Sequence, residues 1–294
     1  IKDVSDAILW SWHVWVTDED INNVIEITNH QNVKYNFMPV NLGQCDGNTI
    51  TYEERSCKVK FIAGDQSKEI TIKQLANVIA TGSNAPFYQW GRKDPLYPSN
   101  GMGNTTKIWY DKEGIPSTAN PMKGTFSAGN DCIKNCILNP NLMHNRYNGD
   151  YTYYNLWSAD NKTTSANDNP VNKTIYDPCP VGFKLPASNA FTGFTTTGES
   201  VSSSTQVNGT WSSSEKGWYF YTNSEKTQSI FFPALGYRSY STMRPGSIGT
   251  QGCFWSAHPV AKGNNYYLRT SSVDVQPTYM VDRGFGYALR PCQD

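Results

Sequence analysis

Seven cysteines and four histidines are the side chains with the widest chemical reach in this chain. Cys45, Cys57, Cys179, Cys253 and Cys292 stand apart in sequence, and Cys132-Ile-Lys-Asn-Cys136 is the one close pair. Its CxxxC spacing puts both thiols on one face if the segment is helical. No CxxC pair occurs, so the tight ligand clustering of a zinc site is missing. The GxSxG elbow, the GxxxxGK[ST] loop, GxGxxG before a helix and HExxH are all absent. Acidic residues are scattered, and near neighbours such as Asp18 and Asp20 read as solvated turn residues, not as the paired carboxylates of a glycosidase. His13 reads as a hydrogen-bonded structural histidine. The 160–169 stretch, DNKTTSANDN, carries the oxygen donors a hard cation wants, yet reads as a polar loop. The expectation is a protein with no catalytic residue, no metal ligand and no cofactor, with calcium left open.

What remains is recognition chemistry. Tyr and Trp beside Ser, Gly and Asn is the composition of adaptable binding loops, and residues 255–283 have it. His258, Asn264, Asn265, Tyr266, Arg269 and Tyr279 combine aromatic planes, amides and one guanidinium, which together can hold a sugar or a peptide without a metal. Tyr266 is expected to point outward with Asn264, which shares its parity. Tyr267 is expected inside together with Leu268, read as sharing its parity; strand alternation would place Trp255 in the core as well, and about half of the aromatics of this segment are expected there. The loop after Trp211 is expected to assist this face.

These residues must be positioned by a loop-rich β fold. Charged residues make up only 17% of the chain while aromatics reach 13%, which excludes a disordered polymer. Basic and acidic residues number 25 each, so there is no field for nucleic acid. Apolar runs such as Ile8–Trp12 and Ile230–Leu235 fall far short of the roughly 20 residues that span a bilayer. Residues 8–17, ILWSWHVWVT, read as a strand with Trp10, Trp12, Val14 and Val16 on one face and Ser11, His13, Trp15 and Thr17 on the other, both faces covered. Residues 49–62 and 68–76 read as a β-hairpin turning at Gly64-Asp65. The 84–103 segment is irregular, and 104–175 is polar with a short helix near 130–138. Short strands are expected at 209–213, 217–222, 229–235, 252–257, 265–270 and 285–291. Trp211-Ser and Trp255-Ser each end a strand that is followed by a loop and an aromatic return, a weak internal similarity.

Seven strings occur in a telling order: LWSWHVWVTD (9–18), PVNLG (39–43), FYQWGRKDP (87–95), YDPCPVGFKLP (176–186), FFPALGYR (231–238), CFWSA (253–257) and GYALRPC (286–292). Together they resemble the Fibrobacter succinogenes major paralogous domain and the related C-terminal domains of Bacteroidales surface and fimbrial-tip proteins. The resemblance covers nearly the whole chain. It implies an α+β fold of the C-type-lectin-like kind, with mostly short antiparallel strands, long ordered loops and one or two helices. Residues 1–294 would form a single domain, with the hairpin at about 49–76 as an insertion. A further β region precedes the WSWHVW strand in the proteins it resembles, and here the sequence begins seven residues before ILWSW, which reads as a fragment or processed product. Where that group has Met-Asp-Arg-Asn-Leu-Gly, this chain reads Met38-Pro-Val-Asn-Leu-Gly43, without the charged pair. The Glu-Pro-Asn or Gln-Pro-Asp and Trp-Asn-Asp motifs of calcium-dependent sugar-binding lectins are not present, and the nearest string is Gln276-Pro277-Thr278.

The function implied is non-enzymatic adhesion or ligand recognition on the outer-membrane surface or outside the cell, at a fimbrial tip or on a lipoprotein. The ligand would be a glycan or protein on a host or neighbouring cell, with pilus subunits as further partners. A phage tail-tip receptor-binding protein on the same fold is the alternative, and an enzyme of the formylglycine-generating type, using Cys132 and Cys136, is a third class. The Trp10 strand and the strand ending near Arg290 are expected in one sheet system. The cysteines read equally as one or two disulfides with a free thiol or as buried small hydrophobes. Cys179, between two prolines, with Cys292, closing the last strand, is the leading disulfide pair and would stabilise by about 3–5 kcal/mol. Cys132 with Cys136 is the second.

Overall fold

The computed structural model describes residues 1–44, 50–79, 85–96, 109–110, 115–117, 125–126, 131–145, 153–162, 165–261 and 263–294. Short, mostly antiparallel strands build several open sheets, joined by long connections, with one α-helix at Cys132–Leu138 and 3-10 turns at Ser188–Phe194 and Ser204–Gln206 among the described residues. This is an α+β arrangement.

The central sheet takes its three strands in sequence order: Gln251–Pro259, Asn264–Ser271 and Val275–Asp282. The tight return at 271–275 is set by Ser271, whose Oγ accepts the N–H groups of Val273 and Asp274. Phe254, Leu268 and Val275 face one apolar core, while Cys253, Trp255 and Tyr267 face a second. The sheet is therefore buried on both sides. Its outer strand reaches solvent at Tyr279 and Met280, 45% and 51% exposed.

The first core is a phenylalanine cluster. Phe232 meets Phe37, Phe191, Phe194, Phe220 and Phe254 edge-on, and Phe194 stacks on Phe220 at 3.9 Å. Such edge contacts add to the burial of large apolar area. The second core is built around Trp90, Trp157 and Trp255, whose indole N–H groups donate to the backbone carbonyls of Ser256, Arg92 and Tyr88. The Trp90 and Trp255 bonds tie the 88–92 segment to the central sheet, and the Trp157 bond ties it to the 153–162 segment. Gly91 turns that loop in the left-handed region at φ +84°, and a Cβ there would lie 2.3 Å from Leu156.

Arg290 joins the two ends of the chain. Fully buried, it donates to Asn41 Oδ1 and to the carbonyls of Met38, Pro39 and Phe231, with its guanidinium 4.5 Å from the Phe232 ring centre. Burial pushes its pKa down to about 9. Cys292 sits beside it on a strand shared with Phe37 and Lys184.

Two expectations are corrected. Residues 8–17 do not form a strand and join no sheet, so they share none with the Arg290 end. Their polar parity faces the body: Ser11 bonds Asp94, His13 bonds Tyr88, and Trp15 donates to the Gln44 carbonyl. Trp12, Val14 and Val16 are outward and exposed. Cys179 and Cys292 are both buried free thiols, not a disulfide. Cys179 is engaged by Asp177 instead; burial and that carboxylate hold its thiol well above its ordinary pKa. Cys132 and Cys136 are likewise unbridged. Cys45 lies outside the described residues.

A hairpin occupies the expected place, with Arg55–Ala63 paired to Gln66–Gln74 across Gly64 and Asp65. The short helix near 130–138 is present as Cys132–Leu138.

Candidate functional site

The six residues singled out for recognition all lie on the central sheet, and burial divides them. His258 is 3% exposed and Asn265 fully buried. Both serve a bulge. Between the pairs Trp255↔Tyr267 and Pro259↔Asn265, three residues of one strand oppose a single residue of the other. Asn265 Nδ2 donates to the Ser256 carbonyl and Ser256 Oγ donates to that of Tyr266, which closes the irregularity. His258 Nδ1 accepts the Ser188 N–H at 3.3 Å, and burial holds its pKa down to about 4. It is a neutral structural ring. Tyr266 does not point outward; it is buried, with its hydroxyl against the backbone of Ala166. Leu268 has the parity of Tyr266 and is fully buried as well. Asn264 is half-buried at the start of its strand.

Arg269 and Tyr279 remain at the surface, and they meet. The Arg269 guanidinium lies 5.9 Å from the Tyr279 ring centre. Its Nη1 donates to Asp274 Oδ2 at 2.8 Å and to Gln276 Oε1 at 3.0 Å, so the fork is held from below. Burial opposes the charge, but Asp274 outweighs it and the pKa is raised. Asp274 and Gln276, which the sequence reading passed over, are thus the residues that orient Arg269. The Ser271-Ser-Val-Asp274 turn was the available signal, since it fixes where the outer strand starts.

Tyr279 ends a ladder of rings. Register pairs Trp255 with Tyr267 and Tyr267 with Tyr279, and both ring pairs are edge-on at 5.7 Å. Tyr287 packs on Trp255 at 4.5 Å and on Tyr267 at 4.6 Å, and Phe285, half-buried with Tyr237 and Tyr240, continues the row. The exposed end is an aromatic face with a fixed cation and an amide beside it. Such a face stacks on a sugar ring or a peptide plane. The outer strand of the sheet presents it without a loop, so it is pre-organised.

Other reactive groups sit elsewhere. Lys93 Nζ lies 2.8 Å from Ser11 Oγ, 2.6 Å from Asp94 Oδ2 and 4.4 Å from the Trp10 ring centre. Ser11 Oγ donates to Asp94, so this cluster anchors the N-terminal segment. A groove of about 410 Å³ lies beside it, lined by Trp12, His13, Pro86, Pro95 and Pro140 among others. Cys132 and Cys136 are buried on the helix; the Cys132 hydrogen bond, working against burial and aided by Arg92, holds Cys136 down to about 7. Asp160 is bonded by Asn172, and Asp168 accepts from Asn29, Tyr35 and Asn189. Among the described residues no three His, Cys, Asp or Glu side chains converge as metal ligands would. Among the described residues no helix is long and apolar enough to cross a membrane.

No protein-family model matches this chain, and neither a curated protein nor a solved structure matches it.

Proposed function

We propose that this chain is a non-enzymatic recognition domain on a cell surface, of C-type-lectin-like fold and akin to the Fibrobacter succinogenes major paralogous domain. It would act in adhesion, at a fimbrial tip or on a surface lipoprotein, and bind a glycan or protein of a host or neighbouring cell. The single observation that carries this reading is the Tyr279 face, with Arg269 fixed beside it by Asp274 and Gln276. Four of the seven ordered motifs supply side chains that tie the cores together, which supports the fold assignment: Trp90, Arg290 and Trp255 donate to backbone carbonyls across the molecule, and Asp177 accepts from the Cys179 N–H within its own turn. A shared fold carries no activity with it, so function rests on the site.

A glycan array probed with the full chain tests the reading. Binding to a discrete group of glycans is expected, with Tyr279→Ala losing at least about tenfold in affinity, which corresponds to ~1.4 kcal/mol. Binding that Tyr279→Ala leaves unchanged would place recognition elsewhere.

A further inference from the structure

A cavity of about 660 Å³ is bordered by the 160–172 stretch, a size within the ~300–1,000 Å³ range of small-ligand sites. Asp160, Asn161, Lys162, Asn169 and Asn172 line it, with the buried His258 behind them. Among the described residues no aromatic ring lines it, and it shares no side chain with the Tyr279 face.

The walls are braced by groups outside the cavity. Ser158 Oγ accepts the Asn172 N–H and Ser188 Oγ accepts the Asn167 N–H, each at 2.8 Å, and both serines are buried. Asp168 uses both carboxylate oxygens on Asn29, Tyr35 and Asn189. The His258 ring accepts the Ser188 N–H and is bonded to the backbone of Asn169. Walls fixed in this way cost a ligand little ordering. The lining side chains nevertheless keep open groups. Asn161 Nδ2 donates to the Ala257 carbonyl at 2.7 Å, and Asn172 Nδ2 donates to Asp160 Oδ2. That leaves Asn161 Oδ1, Asn172 Oδ1 and Asp160 Oδ1 without a partner among the described residues. The Asn169 side-chain amide and the Lys162 ammonium have none there either.

We propose that this cavity binds a neutral mono- or disaccharide through its hydroxyl groups, as a second site independent of the Tyr279 face. The lining selects the class. A sugar hydroxyl both donates and accepts, and a primary amide offers the same two functions in one plane; Asn161, Asn169 and Asn172 present three of them. One acid and one base line the cavity, so charge selects neither an anion nor a cation. A calcium ion takes about six to eight oxygens. Here Asp160 is the one carboxylate lining the cavity among the described residues, one of its oxygens is already bonded, and Lys162 is a lining cation. A nucleobase would need a ring to stack on, which the cavity lacks. Hydroxyls bound without a ring gain only the small net of hydrogen bonds exchanged with water, so the affinity is millimolar and below what an array retains.

The test is a nuclear magnetic resonance titration of the full chain with methyl α-glucoside, methyl α-galactoside, methyl α-mannoside and lactose, with sialyllactose as the acidic control. At least one neutral saccharide is expected to shift the side-chain amide signals of Asn161, Asn169 and Asn172 saturably in the millimolar range, with no change when EDTA is added. Asn169→Ala is expected to weaken that binding at least about fivefold, the loss of one net hydrogen bond. Its unfolding temperature is expected to stay that of the wild type, because the Asn169 side chain bonds nothing among the described residues. The Arg269 guanidinium signal reports the Tyr279 face in the same titration, so failure of either site is read separately. The proposal is overturned if no neutral saccharide shifts the three amides, if only sialyllactose does, or if the shifts are confined to Arg269. It is equally overturned if EDTA abolishes the shifts or if Asn169→Ala binds as the wild type does.

Discussion

The ring of Tyr267 meets the ring of Tyr279 edge-on at 5.7 Å, and the first is 4% exposed while the second is 45% exposed. One step across the sheet therefore passes from core to surface. The inner residues of that row hold the sheet, and the outermost one is free to bind. The same reasoning separates the six residues of the expected site into three buried structural ones, His258, Asn265 and Tyr266, the half-buried Asn264, and two at the edge, Arg269 and Tyr279.

Tyr266→Ala should cost stability, not binding alone. Its ring is buried, and removal of a buried aromatic leaves a cavity worth about 3–5 kcal/mol. Chemical denaturation should show the midpoint falling with little change in slope. A variant as stable as the wild type would mean that the ring lies outside.

His258 should make the protein acid-sensitive in a defined window. Its folded pKa, held at about 4 by burial, lies below the ordinary value of 6.5. The folded state therefore binds fewer protons than the unfolded chain between these values. Stability is full above about pH 6.5 and falls as pH drops toward 4, by up to about 3 kcal/mol. His144, also held at about 4 by burial, adds its own slope in that window. His258→Gln should flatten part of the pH dependence. An unchanged profile in that variant would show that His258 is not buried neutral.

Arg290→Lys should be strongly destabilising, by about 3 kcal/mol or more. Four oxygens, from Asn41, Met38, Pro39 and Phe231, are matched to a planar fork, and an ammonium reaches fewer of them. Thermal unfolding decides this; a variant within about 1 kcal/mol of the wild type would contradict the matched-fork account.

Thiol chemistry should follow burial. In the native protein Cys57 should alkylate at once, and Cys132, Cys136, Cys179, Cys253 and Cys292 only on unfolding. In denaturant without reductant all six of these should label. Two unlabelled positions at Cys179 and Cys292, with a mass two hydrogen atoms lower, would restore the disulfide expected from sequence.

Much of the fold was legible in the sequence, for physical reasons that also explain the errors. The Gly64-Asp65 turn between alternating arms specifies a hairpin by local chemistry, and the hairpin is there. Proline and glycine punctuation likewise marks the short strands at 209–212, 217–221 and 229–233. Alternation misled at 10–16 because the inward side chains are polar ones with dedicated partners, Asp94 for Ser11 and Tyr88 for His13, which lie over 70 residues away in sequence. It misled again at Tyr266, because alternation assumes one wet face, and this sheet has a core on each side. Arg269 and Tyr279 were found by residue type. Their grouping, and the part played by Asp274 and Gln276, depend on the register shift between Tyr267 and Arg269, which no pattern of residue types encodes.

The most direct measurement pairs glycan-array binding with thermal unfolding for the double variant Arg269→Ala, Tyr279→Ala. Both side chains sit at the surface edge, so the unfolding temperature should stay within about 4 °C of the wild type. Binding should be lost. Cys132→Ser and Cys136→Ser should bind as the wild type does. A double variant that still binds fully, or a loss of function confined to the cysteine variants, would contradict a recognition role for the Tyr279 face.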